Sequence, residues 1–365
     1  MKREIFIVSL LILLLVLSGC FSAGQTGQKD KSTQPRINSS KLTQTDLTAY
    51  LEKPIKENNN LIYCGTFQLA WNSLEDDVFQ EKVRLKLNKE FARKMNQRLF
   101  KNDYLSAAYH VSMAGRLNEE FLNQLRTALQ DKFGSEAPQI KVEQKIKGPT
   151  ILAYSYLYKR IKFSTEFNVF NVPLEFETGK SHQKVESFVI KKAAGDSSDS
   201  LKQQVKVLDY KNEDNFIIKL KTKAKKDEII LANVKPQPNL VKTIDYVKQR
   251  TKTSEKNSTL KKNETLQIPK IKFNLEHSYA EIIGDEVLNQ GGWEVEKALQ
   301  YVDFKLNETG ATVQSKGKIK ITKGLPRTNR SFIFDDPFLV YLQEKGAKYP
   351  YLAVWIGNTE LLVTK

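Results

Sequence analysis

The sequence predicts an α+β fold in which helices pack on large mixed or antiparallel sheets. Two observations carry this prediction. Apolar residues recur at helical spacing early in the chain, and the spacing changes to the two-residue period of strands from Pro149 onward. No internal repeat of solenoid length is visible in the 365 residues. We therefore expect residues 46–365 to form a single large domain.

The predicted helices come mainly before the strands. Apolar residues lie three and four positions apart within 73–100 and within 118–133, where Gly134 follows as a natural helix stop. A further helix is predicted at 241–249, and the polar stretch 252–263 after it is predicted to be a loop. This order favours a domain whose sheets are covered by a few helices.

Strands are predicted in the central third of the chain. Residues 151–158 form a nearly continuous run of β-prone residues, which favours a central strand buried on both faces. Shorter strand patterns follow, separated by turn-rich clusters such as 194–198. They cover 185–190, 204–210, 215–221 and 229–232.

The segment 302–322 is the most informative part of the chain. From Ala311 onward every second residue is small or apolar, and the residues between them are polar. The first set is Ala311, Val313, Ser315, Gly317, Ile319 and Ile321, and the second is Thr312, Gln314, Lys316, Lys318, Lys320 and Thr322. Such alternation marks a half-buried strand, yet the flanking sequence is rich in Gly and Pro, as in exposed loops. We interpret the segment as a loop that is patterned to join a sheet.

The N-terminal 45 residues are predicted to comprise a signal peptide, residues 1–20, and a tether, residues 21–45. Lys2 and Arg3 precede an apolar run too short to span a bilayer comfortably, and this run ends at Leu17-Ser18-Gly19-Cys20. The pattern resembles the signal peptide and cleavage box of bacterial lipoproteins, which implies lipidation of Cys20 and an extracytoplasmic, membrane-anchored protein. Residues 21–45 are polar and are predicted to be a flexible tether.

Five motifs, in order along the chain, resemble those of one known family. Asn60 to Trp71 resembles the strand and helix with the Asn-Ile-x-x-Ser-Pro motif, and Phe334 to Leu342 resembles the Phe-x-x-x-Pro-Phe signature. The others are a Leu-x-x-Pro-Lys strand followed by a Tyr-containing helix, a closing strand with its glycine, and the strand leading into the reactive loop. They lie at 266–273 with 279–284, at 351–358, and at 295–310 with Val295, Lys297, Glu308 and Gly310.

Together these motifs resemble those of the serpin superfamily. The resemblance implies a serpin-like fold with an exposed reactive loop. In that family a target protease cleaves the loop, becomes acylated and is distorted when the freed loop inserts into the main sheet. The implied hinge residues are Glu308, Gly310, Ala311 and Val313. The scissile bond is expected within 323–328. Its candidates are Lys323, Gly324 and Arg327, with Arg327 favoured because a longer freed segment gives a longer inserted strand.

Three functional hypotheses follow from these features. The first is an inhibitor of a serine or cysteine protease, and the basic candidates at the scissile bond favour a target that cleaves after basic residues. The second is a serpin-like lipoprotein that inhibits nothing and acts as a binding or structural protein at the cell surface. The third is a lipid-anchored binding or adhesion protein of unrelated fold. In the first two cases we expect a monomer.

Other chemistry is not indicated. The chain has no phosphate-binding loop, no dinucleotide-binding or metalloprotease motif and only three histidines, so we expect no enzyme, no cofactor and no metal site. The net charge of +16 comes largely from lysines that alternate along predicted strands, among them Lys202, Lys206 and Lys219. That pattern is typical of a solvated sheet face, so we expect attraction to anionic lipid or cell-wall polymer and no nucleic-acid partner. Cys64 is predicted to be a buried, inert thiol.

Overall fold

The computed structural model describes residues 35–140, 149–179, 181–190, 197–253, 258–261, 263–289, 291–311 and 330–365. Within these ranges the helices are few and short. They are α1 (Thr66–Ser73), α2 (Lys89–Met95), α3 (Glu119–Phe133), α4 (Ser197–Gln203) and α5 (Leu240–Thr253). A π-helical turn, Leu74–Phe79, follows α1 directly. No helix in the described part of the chain combines the length and the apolar character that crossing a bilayer requires.

Strands make up most of the regular secondary structure in the described residues. The first ten are β1 (Ile37–Asn38), β2 (Thr45–Thr48), β3 (Asn60–Cys64), β4 (His110–Arg116), β5 (Ile151–Leu157), β6 (Ile161–Lys162), β7 (Asn168–Thr178), β8 (Ser181–Ile190), β9 (Val205–Asn212) and β10 (Asn215–Leu220). The others are β11 (Asp227–Asn233), β12 (Ser258–Thr259), β13 (Thr265–Pro269), β14 (Ile271–Ser278), β15 (Glu286–Val287), β16 (Trp293–Glu294), β17 (Leu299–Leu306), β18 (Gly310–Ala311), β19 (Ser331–Ile333), β20 (Phe338–Glu344) and β21 (Leu352–Ile356).

An eight-stranded sheet forms the centre of the domain, in the order β12-β9-β10-β11-β20-β21-β3-β2. Strands β3 and β21 are buried along their whole length, which explains their nearly continuous apolar sequences. A four-stranded sheet, β19-β13-β8-β7, packs into the same core, in which Phe176, Phe334 and Phe338 are fully buried. This arrangement is the predicted α+β fold with large mixed sheets.

The predicted strands of the central third are present, although β5 is only partly buried and does not have the predicted burial on both faces, and one helix prediction is wrong. Residues 73–100 do not form one helix, because the chain leaves the π-helical turn at Gln80 with φ of 55° and then runs without helix to α2. The carboxylate of Asp285 holds this connection by accepting hydrogen bonds from Leu87 N and Asn88 N at 2.9 and 2.7 Å. In contrast, α3 begins and ends as predicted, with Asn118 as its N-cap and Gly134 at its end.

The folded region begins earlier than the predicted boundary at residue 45. Strand β1 pairs in parallel with β14, and the Ser39 hydroxyl bonds to Nδ1 of His277 at 2.7 Å. Thr45 donates to the carboxylate of Glu360 at 2.6 Å. These contacts fix residues 37–45, which had been assigned to the tether from their polar composition.

Candidate functional site: a divided sheet and its hinge

Two strands, β5 and β17, each have an edge without a full-length partner among the described residues. Strand β5 pairs with β4 and strand β17 pairs with β14, and among the described residues neither strand has a second full-length partner. Burial raises the pKa of Tyr154 on β5 to about 12, and the neighbouring Tyr301 on β17 adds to this effect. The pKa of Tyr156 is also about 12, raised by burial and in part by Asp303 of β17. Tyr154 and Tyr156 on β5 are therefore within electrostatic range of Tyr301 and Asp303 on β17.

Both halves of this divided sheet rest on helix α1. The side-chain amide of Gln300 on β17 donates to Cys64 O and to the Thr66 hydroxyl, each at 2.8 Å, at the start of α1. On the other half, the Ser112 hydroxyl on β4 donates to Leu69 O at 2.9 Å within the helix. The inner face of the sheet is thus the one that carries Gln300 and Ser112.

Alternation along the two strands assigns the remaining side chains to the two faces. On β17, Val302, Phe304 and Leu306 are buried on the inner side, whereas Tyr301 and Asp303 are exposed on the outer side. On β5, Ser155 lies directly opposite Ser112 and so faces inward. Its buried hydroxyl has no hydrogen-bond partner among the described residues.

Helix α3 covers the outer face of the β4–β5 half. Phe121, Leu125 and Leu129 of α3 form a small core with the strands, and the ring of Phe133 lies 5.0 Å from that of Tyr156 in an edge-to-face arrangement. The sequence predicts this helix but not its position over the sheet. Helical spacing reports which face is apolar, and it does not report which strands that face covers.

The two halves are joined at one end by the segment that follows β17. Asn307 and Gly310 form a tight antiparallel bridge, and β18 (Gly310–Ala311) then pairs antiparallel with β6. Two further backbone bonds support this junction, from Phe163 N to Thr309 O at 3.2 Å and from Phe167 N to Glu308 O at 2.8 Å. Strand β18 is therefore a two-residue strand between β6 and the end of β17.

Only glycine fits at position 310. Its φ of +131° lies in a region that residues with a side chain rarely adopt. A Cβ atom there would lie 2.3 Å from the carbonyl oxygen of Ile161 and 2.9 Å from Cα of Lys162. Because both of these are backbone atoms, no rotamer change could relieve the overlap.

Glu308 holds the same junction through its side chain. The carboxylate is 4% exposed and lies 3.1 Å from the ammonium of Lys270, which is 14% exposed and also contacts Glu186 at 3.2 Å. Lys270 directly precedes β14, so the ion pair ties the end of β17 to the start of its neighbouring strand. Of the predicted hinge residues, Glu308, Gly310 and Ala311 are thus brought together at the open end of the sheet.

The other predicted site residues lie outside the described residues. These are Val313 of the hinge, the scissile-bond candidates Lys323, Gly324 and Arg327, and the lipidation site Cys20. Cys64, in contrast, is buried as predicted, and burial raises the pKa of its thiol.

Comparisons with known proteins identify the architecture. No protein-family model and no curated protein sequence matches the chain. Among solved structures, maspin matches with a TM-score of 0.50 and 11% identity over 82% of this chain and 93% of its own. Serpin48 of the insect Tenebrio molitor has a TM-score of 0.48 and 13% identity over 83% and 92% of the two chains. Human thyroxine-binding globulin, solved in complex with thyroxine, has a TM-score of 0.45 and 9% identity over 82% of this chain and 92% of its own.

The chain has the serpin fold. Within this fold the early motif acquires a structural explanation, because Asn60 is fully buried and uses its whole amide. Its oxygen accepts from Gly357 N and Asn358 N at 2.8 and 3.0 Å, and its nitrogen donates to Asn358 Oδ1 and Thr45 Oγ1 at 2.7 and 3.0 Å. The first and last motifs of the serpin fold therefore meet at one side chain.

Sequence reasoning missed Gln300, although it links β17 to α1. Its Oε1 accepts a hydrogen bond of 2.6 Å from the Tyr279 hydroxyl. The side chain is only 3% exposed, and both ends of its amide are hydrogen-bonded. The only available signal was a glutamine at an inward position of a strand that otherwise alternates between apolar and polar residues.

Proposed function

We propose that this protein is an extracytoplasmic protease inhibitor that acts by loop cleavage and strand insertion. The observation that carries the proposal is the match in register between the divided sheet and the loop sequence. The serpin fold, the edges of β5 and β17 that lack a full-length partner among the described residues, and the strand β18 between the two halves support it. Each of these features is necessary for insertion. The register adds an independent criterion, because a loop with its lysines on the other parity would not fit the sheet.

The register follows from the bridge between Asn307 and Gly310. If the chain continued antiparallel to β17 from this bridge, each step forward along the loop would match one step back along β17. Val313 would then lie opposite Phe304, and Ser315 opposite Val302, both inward-facing positions. Lys316 would lie opposite Tyr301 on the outer face. The small and apolar set of the loop would therefore be buried and the lysines would stay in water.

The same register fits β5. Continued from the β18–β6 ladder, it would bring Gly317 opposite Ser155, whose hydroxyl lacks a partner among the described residues. A shift of one residue would instead bury Lys316 and Lys318, at a cost of several kcal/mol for each charge. Burial of Val313, Ile319 and Ile321 would contribute about 1.5–3 kcal/mol for each side chain. Insertion in this register would thus stabilise the cleaved chain.

The proposed target is a serine or cysteine protease that cleaves after a basic residue. Lys323 and Arg327 are the candidate recognition residues, and the serpin resemblance implies that the acylated protease is carried along by the inserting loop. The chain would act alone, as a monomer, at the outer surface of a membrane.

Membrane attachment is proposed through a lipid on Cys20. The short apolar run that ends at Leu17-Ser18-Gly19-Cys20 supports it. Replacing Cys20 with Ser should release the protein from the membrane fraction, and a Cys20→Ser protein that still carries a lipid would contradict this assignment.

Inhibition is tested by cleaving the loop. Cleavage within 316–327 should raise Tm clearly, and incubation with a trypsin-like protease should give an adduct that survives SDS. The variant Val313→Glu should abolish both results, whereas Gln314→Glu, its neighbour on the water-exposed parity, should preserve them. A cleaved chain that melts at or below the temperature of the intact chain would favour the alternative, a surface binding protein with a serpin fold and no inhibitory activity.

A further inference from the structure

A cavity of about 640 Å³ lies between helix α5 and the strands β9, β10, β11 and β20. This volume falls within the range of small-molecule sites, about 300–1,000 Å³. The cavity lining shares no residue with the divided sheet or with the hinge. Its polar lining includes Lys206, Lys219, Lys248, Lys252, Lys348 and Gln343.

The lining carries an excess of positive charge. Five lysines face two carboxylates, Glu228 and Asp245. Lys219 is neutralised by Glu228 at 2.8 Å. For the other four lysines, no ion pair occurs within the described part of the chain. The sequence analysis assigned Lys206 and Lys219 to a solvated sheet face, but both are only partly exposed, because α5 lies against that face.

Lys248 projects from α5 into this lining, where its ammonium donates to the backbone carbonyl of Lys348. Its ammonium lies 6.0 Å from the centre of the Tyr341 ring and 5.8 Å from that of Tyr349. Burial lowers the pKa of Lys248 to about 8, and the nearby Lys252 and Lys348 lower it further, against the opposing effects of Asp245 and Glu228. A bound anion would restore the full charge of this group.

Gln343 supplies an acceptor that has no partner. The side chain is 8% exposed, and its Nε2 donates to Glu228 Oε2 at 2.9 Å. Its buried Oε1 has no hydrogen-bond partner among the described residues. A buried acceptor without a donor is costly, and a ligand hydroxyl group would satisfy it.

We infer that this cavity binds an organic phosphate that carries a free hydroxyl group. Several lysines and no arginine line the cavity, which favours a compact anion held by point charges over a planar carboxylate held by two parallel bonds. Gln343 Oε1 accepts from the hydroxyl, while Leu208 and Ile230 contribute apolar surface for the carbon skeleton. The same chemistry occurs in free polyol phosphates and in the headgroups of anionic lipids.

Calorimetric titration of the intact chain tests the site without any protease. Glycerol 3-phosphate should bind more tightly than inorganic phosphate, and glycerol should not bind. Replacing both Lys248 and Lys348 with Gln should weaken binding about tenfold or more, since each contributes a charge-assisted contact. The matched control is Lys242→Gln, an exposed lysine on α5 that does not line the cavity, and it should change nothing.

Two further measurements separate the specific site from general attraction to a basic protein. In Gln343→Leu, with folding checked by Tm, glycerol 3-phosphate should lose its advantage over inorganic phosphate. Vesicles of phosphatidylglycerol that compete with glycerol 3-phosphate would identify a lipid headgroup as the source. Equal weakening by Lys242→Gln, or vesicle binding that glycerol 3-phosphate does not displace, would overturn the assignment.

Discussion

Replacing Gly310 with Ala should loosen the junction between the two halves of the divided sheet. The new Cβ would lie 2.3 Å from Ile161 O, where an ordinary carbon–oxygen contact is about 3.3 Å or longer, so the two backbones must separate by about 1 Å. Such a shift weakens the β18–β6 ladder and the bond from Phe163 N to Thr309 O. The backbone strain adds about 1–3 kcal/mol.

The total loss in the free energy of unfolding should be about 2–4 kcal/mol. The loss is limited because the chain can release the short β18 strand once the strain exceeds the stabilisation that the ladder provides. Urea unfolding of the chain without residues 1–20 provides the measurement. Gly134→Ala is the control, since its φ is also positive, at +52°, but nothing lies within 4 Å of the added Cβ. It should cost only the backbone strain, about 1–3 kcal/mol, without the additional loss of a ladder. Equal losses in the two variants would refute the steric argument.

Three further predictions concern the junction and the core. Glu308→Gln should destabilise the domain by about 2 kcal/mol, because it breaks a buried ion pair with Lys270. Glu186→Gln should cost under about 1 kcal/mol, because that carboxylate is partly exposed. Urea unfolding that ranks the two variants the other way would contradict this prediction. Asn60→Ala should cost about 3–4 kcal/mol by the same measurement, because it leaves buried backbone donors without partners. Burial lowers the pKa of His277, so the unfolded chain binds more protons and stability should be lost as pH falls below about 6.5. His277→Gln should lose less Tm than the original chain between pH 7.5 and 5.5, and an unchanged slope would exclude His277 as a contributor.

Much of the fold could be predicted because local signals agree with the final structure. The helix that begins after Asn118 and ends at Gly134 has a cap, an apolar face and a stop, and all three are readable in sequence. The pairing of strands is not readable in this way. Residues 151–158 were predicted to form a central strand buried on both faces, but β5 is only partly buried and pairs with β4 alone among the described strands. A β-prone run reports a preference for extended backbone, and long-range packing decides how many neighbours it has.

The hinge was predictable as a motif, but its physical basis was not. The spacing of Glu308 and Gly310 is visible in the sequence. Why these two residue types are needed depends on Lys270, which pairs with Glu308, and on the carbonyl of Ile161, which leaves no room for a side chain at position 310; both are remote in sequence. The lysine prediction failed for a related reason. Lys202 was placed on a solvated strand face, yet it lies in α4 and is 3% exposed, because a single lysine carries no information about which segments fold over it.

The position of β1 determines where a force on the N-terminal segment would reach the domain. Residues 1–34 connect to the domain through β1, a two-residue strand on the free side of β14. The guanidinium of Arg36, just before β1, lies 4.2 Å from the centre of the Tyr301 ring on β17. A pulling force on the N-terminal segment would therefore be transmitted first to β14 and β17, and only afterwards to the eight-stranded sheet. The parallel ladder between β1 and β14 would therefore be the first pairing in the domain to bear such a force.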